Sequence, residues 1–264
     1  MGGEFRIRPG SSHFGANLEG VDLEGVDLGN VNFTNANLTN ANLANADLGW
    51  ANLTSANLAN ANLANADLRS AKLTNANLAN ANLTNADLGS AKLTNTNLNG
   101  AIMTNTNLSN INFARAKPIL VNARLQGVKL SRQDFSGMIL RGIDFRNADL
   151  EGALFYRANL EDANFEGANI NEATFVAANL TNASFIDAVM YNVSFRDAIV
   201  VGVKVKLKER GHSSHFRSDG KPKRSLANAD AAIEEIKRLR ATGNSDGEVL
   251  NYYPCGDHFH IGHI

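Results

Sequence analysis

The sequence predicts an all-β solenoid, a chain wound into stacked coils around a filled core. Three observations point there. A large apolar residue returns at every fifth position over most of the 264 residues. A small or branched apolar residue, usually Ala, precedes it by two, and Asn, Asp, Thr, Ser and Gly fill most of the rest. Charges recur at a longer interval: Asp27, Asp47, Asp67 and Asp87 lie 20 residues apart, as do Lys72 and Lys92.

A period of five suits neither regular element. A helix would spiral these residues around its cylinder, and a flat strand would alternate them between faces. Spaced Asn and Gly weaken both options. A coil in which each five-residue word makes one side and one corner resolves the conflict. The large residue points inward, Ala packs the corner, and Asn or Gly takes the turn. Leu38, Leu43, Leu48, Leu53, Leu58, Leu63 and Leu68 then fill the core of the first part, and Phe145, Leu150, Phe155, Leu160 and Phe165 that of the second. No single coil buries its leucines, but stacked coils enclose a continuous core. The 20-residue interval fits four words per turn. It stacks Asp27, Asp47, Asp67 and Asp87 into one acidic surface column, with Lys72 and Lys92 on the adjacent face.

Residues 1–15 precede the rhythm and are read as an N-terminal segment or cap. From Leu18 to Phe113, Leu, Phe or Met fills 20 consecutive inward positions, giving a first stack over 16–113. The stretch "ARAKPILVN", Ala114 to Asn122, shifts the phase by two residues. Proline cannot donate a ladder hydrogen bond, so Pro118 predicts a phase-shifting loop over 114–122. A second stack over 123–202 adds 16 words, from Leu125 to Val200. Residues 203–225 are basic and rich in turn formers, a linker. Over 226–264 the chain predicts a small α+β tail. "NADAAIEEIKRLRATG" has helix caps and a narrow apolar stripe. Val249–Tyr253 and His258–Ile264 read as two strands.

The words "ANLTN", "ANLAN" and "ADLRS" resemble the A(N/D)Lxx unit of pentapeptide-repeat proteins, over about residues 16–202. The resemblance implies a right-handed, quadrilateral β-helix with four words per coil. Thirty-six words then make about nine coils, or roughly 43 Å at the strand spacing. Some members of that family imitate duplex DNA and inhibit type II topoisomerases such as gyrase. A duplex of that length carries about 25 phosphates, whereas residues 16–200 hold 17 acidic and 12 basic side chains. Acidic residues cluster at Glu19, Asp22, Glu24 and Asp27, and again between Glu151 and Glu172, where Arg157 intrudes.

Five of the six histidines follow residue 211. Alternation places His258 and His260 on one strand face, and imidazole is the commonest side-chain metal ligand. His215, His258 and His260 are therefore candidate zinc ligands, with Cys255 and Asp257 close in sequence. The order "SSH", helix, "DHFHI" also resembles zinc peptidases of the D-alanyl-D-alanine carboxypeptidase kind. That resemblance implies His215 and His260 as zinc ligands and His258 as a polarising residue. The family's H-x6-D spacing is missing, because Pro222 stands where Asp is required.

Net charge is -1, and one cysteine excludes a disulfide framework within the chain. No apolar run is long enough to span a membrane, and the first residues lack a signal-peptide core. The expected setting is the cytoplasm. The expected function is a non-enzymatic scaffold or protein-interaction rod, with no catalytic residues and an unnamed protein partner. The tail caps it or joins two copies into a homodimer, and neither nucleic acid nor membrane is a direct partner. A DNA-mimicking gyrase inhibitor and a zinc-binding, peptidase-like tail are the alternatives.

Overall fold

The computed structural model describes residues 7–205 and the backbone pairing of 225–226, 250–255 and 258–263. The chain forms two compact units, Met1–Lys129 and Leu130–Ile264.

The word Ala36–Asn40 shows how the first unit is built. Its five amide N–H groups each have a different destination. Ala36 donates to the Phe33 carbonyl of the preceding word (2.9 Å) and closes a turn. Asn37 donates one coil back, to Ala16 (2.9 Å), while Leu38 and Asn40 donate one coil forward, to Asn57 (2.7 Å) and Ala59 (3.0 Å). Thr39 donates to the Asn37 side chain (3.2 Å). No regular strand forms, because each word makes only one parallel bridge. The bridges link residues 20 apart, as in Asn17–Asn37–Asn57–Asn77–Asn97. One bridge per word and a register of 20 place four words in each coil.

The fifth residue of the word sits in the left-handed region, with φ of 59° at Asn40 and Asn60. That region penalises a Cβ, and Asn and Gly tolerate it best. Leu38 through Leu68 are fully buried at the inward slot, with Ala beside them at the corners. Thr96 and Thr106 replace Ala at two buried corners. Their hydroxyls donate to the Leu73 (2.8 Å) and Leu83 (2.7 Å) carbonyls, so neither polar group is left unsatisfied.

The coil begins earlier than the leucine rhythm suggests. Ser12 bridges Asn32, and the His13 N–H donates to the Asn32 carbonyl (2.8 Å). His13 thus takes an inward slot within the expected N-terminal segment, its ring 5.8 Å from Phe33. Ser11 Oγ lies 2.8 Å from His13 Nε2.

In place of the loop expected over 114–122, the chain makes one helical turn, α1 (Phe113–Ala116), and then resumes its words. The Asn112 side chain caps α1 by accepting from the Arg115 N–H, and Lys117 ends it in the left-handed region. Pro118 takes the Ala slot. The N–H at that slot closes a turn rather than bridging coils, so proline costs no ladder bond. Ile119 donates to the Thr96 carbonyl one coil back (2.9 Å), and the register lengthens to 22 at Asn97–Ile119 and Ile102–Arg124.

The second unit repeats the same bridges, from Asp134–Leu154 to Ser184–Lys204. Its core differs. Phe135, Phe155, Phe175 and Phe195 stack in one column, and Phe145, Phe165 and Phe185 in another, with stacked centroids 4.8–5.4 Å apart. The columns meet edge to face, as Phe165 and Phe175 do at 88°. Leu150 and Leu160 are fully buried at the slots between. The tail contains a three-stranded antiparallel sheet ordered β1–β3–β2, with β1 at Ser225–Leu226, β2 at Leu250–Cys255 and β3 at His258–His263. Pro254 extends β2 beyond the expected strand end, which an edge strand tolerates. The helix expected near 228–243 lies outside the described residues.

Turn chemistry in the second unit is less uniform. Ala177 holds φ of 57° with no side-chain amide to offset the strain. Ala177→Gly should therefore stabilise the protein by about 1 kcal/mol. Asn60→Ala should destabilise it by a similar amount. Urea unfolding midpoints check both, and opposite signs at the two corners are the expected result.

Candidate interaction surfaces

The coil spends its backbone and its large apolar side chains internally, so its outward rows carry what remains. In the first unit those rows are asparagine ladders. Asn37 Nδ2 donates to Asn17 Oδ1 (3.0 Å), Asn77 to Asn57 (2.9 Å) and Asn97 to Asn77 (2.9 Å). A second ladder runs from Asn82 to Asn62 and Asn42, each step 3.1 Å, and ends on Asp22 at 3.0 Å. Glu24 also accepts from Asn42 (3.1 Å), so part of the N-terminal acidic cluster is bound into this ladder.

Asp27, Asp47, Asp67 and Asp87 occupy one column, successive members bridged to each other, and Lys72 bridges Lys92 on the following word. Within each aspartate word one carboxylate oxygen accepts from the N–H two residues on: Gly29 (3.0 Å), Gly49 (2.8 Å), Arg69 (2.9 Å) and Gly89 (2.8 Å). Arg69 also folds its guanidinium onto Asp67 as an ion pair. These hydrogen bonds hold the Asp67 carboxyl below the usual carboxylate range, against partial burial that pushes it up. They raise the Arg69 guanidinium correspondingly, with Asp87 and Asp47 adding to the field. The corner beside this column carries Asn30, Trp50, Ser70 and Ser90, all with left-handed φ. Trp50 is 60% exposed and was not legible as a site from the repeat.

The second unit is more charged and more apolar outside. Arg146 pairs with Asp144 (2.7 Å), and Arg141 with Glu161 (3.3 Å). Arg157 lies over the Tyr156 ring, 4.9 Å from its centroid. Ile139, Leu154, Tyr156, Tyr191, Ile199 and Val201 are exposed. In the tail, Cys255 pairs with His258 and Tyr253 with His260 in the Cα register of β2 and β3. His215 lies outside the described residues. Among the described residues no three His, Cys, Asp or Glu side chains gather into a metal-binding group, and no helix is long and apolar enough to cross a membrane.

Bridges at a fixed register, a filled core and self-bonded outward rows define a β-helical repeat protein. The pentapeptide-repeat family model matches residues 16–54, 51–89, 81–117, 123–162 and 158–197. The chain belongs to the pentapeptide-repeat family, which gives it a right-handed β-helix type of fold. It is similar to HetL, a pentapeptide repeat protein involved in heterocyst differentiation regulation from the cyanobacterium Nostoc sp. strain PCC 7120. Identity there is 26% over 80% of this chain and 92% of that one, with a TM-score of 0.43. A pentapeptide repeat protein of the Arabidopsis thaliana thylakoid lumen shares 35% identity over 37% of this chain and 71% of its own, with a TM-score of 0.31. QnrB1, a plasmid-mediated fluoroquinolone resistance protein, shares 18% over 74% and 89%, with a TM-score of 0.37. No curated protein matches the chain.

Asp67 provides a titration test. Its folded pKa is depressed, so the pair's contribution is present above the ordinary Asp value of about 3.9 and is lost as pH falls through the folded value. In Arg69→Gln the Asp67 carboxyl should rise toward that ordinary value, followed by NMR of its side-chain carbonyl. The stability difference from the parent should appear above about pH 4 and vanish in stronger acid. An unmoved carboxyl would show that Arg69 is not its determinant.

Proposed function

We propose that the chain is a non-enzymatic β-helical scaffold that binds a protein partner through its outward rows, its tail serving as a cap or assembly element. Thirty-six words at four per turn correspond to about nine coils. The observation that carries this reading is the destination of the backbone groups. Neighbouring words and coils take up the backbone N–H groups and the inward slots fill the core, so the outward atoms these bonds leave over are available to a partner. What they display is flat and registered, which suits a protein surface. Exposed Trp and Tyr, the residue types that anchor protein interfaces, interrupt the polar rows.

DNA mimicry is the weaker reading. Arg69 neutralises Asp67 in the middle of the acidic column, and Lys72 and Lys92 face outward one word away. Affinity capture separates these ideas. The whole chain and a chain ending at Gly202 should retain the same protein partner. The whole chain should also leave the supercoiling activity of purified gyrase unchanged. Partner capture only by the whole chain would move recognition to the tail, and gyrase inhibition would favour mimicry.

The tail supports a zinc site as a second role. Cys255 and His258 are Cα register partners and His260 lies two residues on in β3, and His215 and Cys255 are the residues that would complete a set with the two histidines. Two imidazoles and a thiolate are a zinc ligand set. Elemental analysis should find stoichiometric zinc in the purified chain, lost when His258 and His260 are both changed to Ala. Metal-free protein would leave these histidines as packing residues.

A further inference from the structure

Trp50 departs from the residues that share its column. Its corner column otherwise holds Asn30, Ser70, Ser90 and Asn110, small polar residues suited to the left-handed region. Trp50 adopts φ of 55° there, where a bulky side chain is a conformational outlier. The indole gains little packing in return, because 60% of the residue is exposed. A strained, exposed aromatic in an otherwise regular fold points to use at the surface.

The neighbouring rows say what would use it. Asp47 stands three residues before Trp50, and Asp27 is bridged to Asp47 from the coil before. Gly29 and Gly49 put no side chain between that carboxylate row and the Asn30–Trp50 corner. A Cβ at Gly49 would meet only the Asp47 carboxylate. At Gly89 the same space is crowded by Ser109 and Asn107 as well. Gly49 itself is buried, while Asp47 and Trp50 on either side of it are exposed. Arg69, above Gly49, is pinned to Asp67 and already shows how a guanidinium uses this row. Bonds from the Gly29 and Gly49 N–H groups fix the Asp27 and Asp47 carboxylates and occupy one oxygen of each. Negative charge beside an exposed indole is complementary to a flat cation, which stacks on the ring and pairs with the carboxylates.

We propose that Trp50, with Asp27 and Asp47 beside it, is the docking site for an arginine-bearing segment of a partner protein. This rests on the scaffold function above and names the chemistry of its partner.

Trp50 is the sole tryptophan of the chain, so its fluorescence reports on this site. Titration with a tetra-arginine peptide at low ionic strength should shift its emission saturably, and tetra-lysine should bind more weakly. By calorimetry, Trp50→Asn, which installs a residue native to this column, should weaken tetra-arginine binding by about tenfold. Asp47→Asn keeps an oxygen for the Gly49 N–H and should weaken it similarly, while Lys72→Gln should not. Absence of a saturable shift, or equal binding by both site variants and the parent, would overturn the proposal. So would a neutral hexasaccharide that moves the emission where the peptide does not, since it would assign the indole to a sugar. Partner capture by the parent and equally by Trp50→Asn would remove this site yet leave the scaffold standing. Loss of capture in the parent itself is the separate failure of the scaffold.

Discussion

Five amide N–H groups per word, sent to five different acceptors, are the constraint on which this protein is built. A buried amide left without a partner costs about 1–3 kcal/mol, and a word that only placed leucine inward would leave several such groups. Two asparagines per word answer this in separate ways. The one before leucine accepts the N–H two residues ahead, as Asn37 does from Thr39. The one ending the word, such as Asn40, takes the left-handed corner and donates to the next coil. The strictness of the repeat follows from this division of labour, which hydrophobic periodicity alone would not enforce.

A register of 20 then decides what the surface can be. Any outward residue stands beside its counterpart one coil away, so a duplicated word becomes a column. Asparagine columns bond to themselves along the stack, through contacts such as Asn97 to Asn77. Aspartate columns do not, and their carboxylates keep the bond from the N–H two residues on that the asparagines also accept. Neither column perturbs the core, because the inward slots on both sides are fully buried leucines. A single departure such as Trp50 therefore reads as a local addition to a surface whose support is independent of it.

The coil was legible because its period, its small corner residues and its 20-residue charge interval all report one geometry. Less was legible where a polar residue takes an apolar slot. His13 breaks the leucine rhythm, yet Gly10, Gly15, Gly20 and Gly25 share left-handed φ at five-residue spacing. That glycine series was the available signal for the earlier start. Pro118 misled for a related reason: its effect depends on which of the five N–H groups it removes, and that assignment is visible only in the hydrogen bonds. Trp50 left no trace in the period, since the corner position accepts any residue that can bear the strain. The two-residue strand Ser225–Leu226 is too short to carry a pattern, while the alternation of His258 and His260 was readable and their surroundings were not.

The two units balance corner and core differently. In the first, Asn, Ser and Gly occupy nearly all left-handed corners, and the inward slots are almost all leucine. In the second, Arg132, Arg157, Glu172 and Ala177 take such corners, each at a cost of about 1–2 kcal/mol against an unstrained residue. The phenylalanine columns offset that cost, since each well-placed aromatic pair adds about 0.5–1.5 kcal/mol beyond the area it buries. Phe155, Phe165 and Phe175 each contact four other rings. The unit with the aromatic core is thus also the one whose corners carry charge. Arg157 over Tyr156 is one such corner. Trp50 keeps the corner conformation and its N–H bond to the Arg69 carbonyl (2.9 Å) while carrying a side chain unlike its column neighbours. In both units the inward slots set how much conformational strain the outward face can bear, and so how far that face can diverge toward recognition.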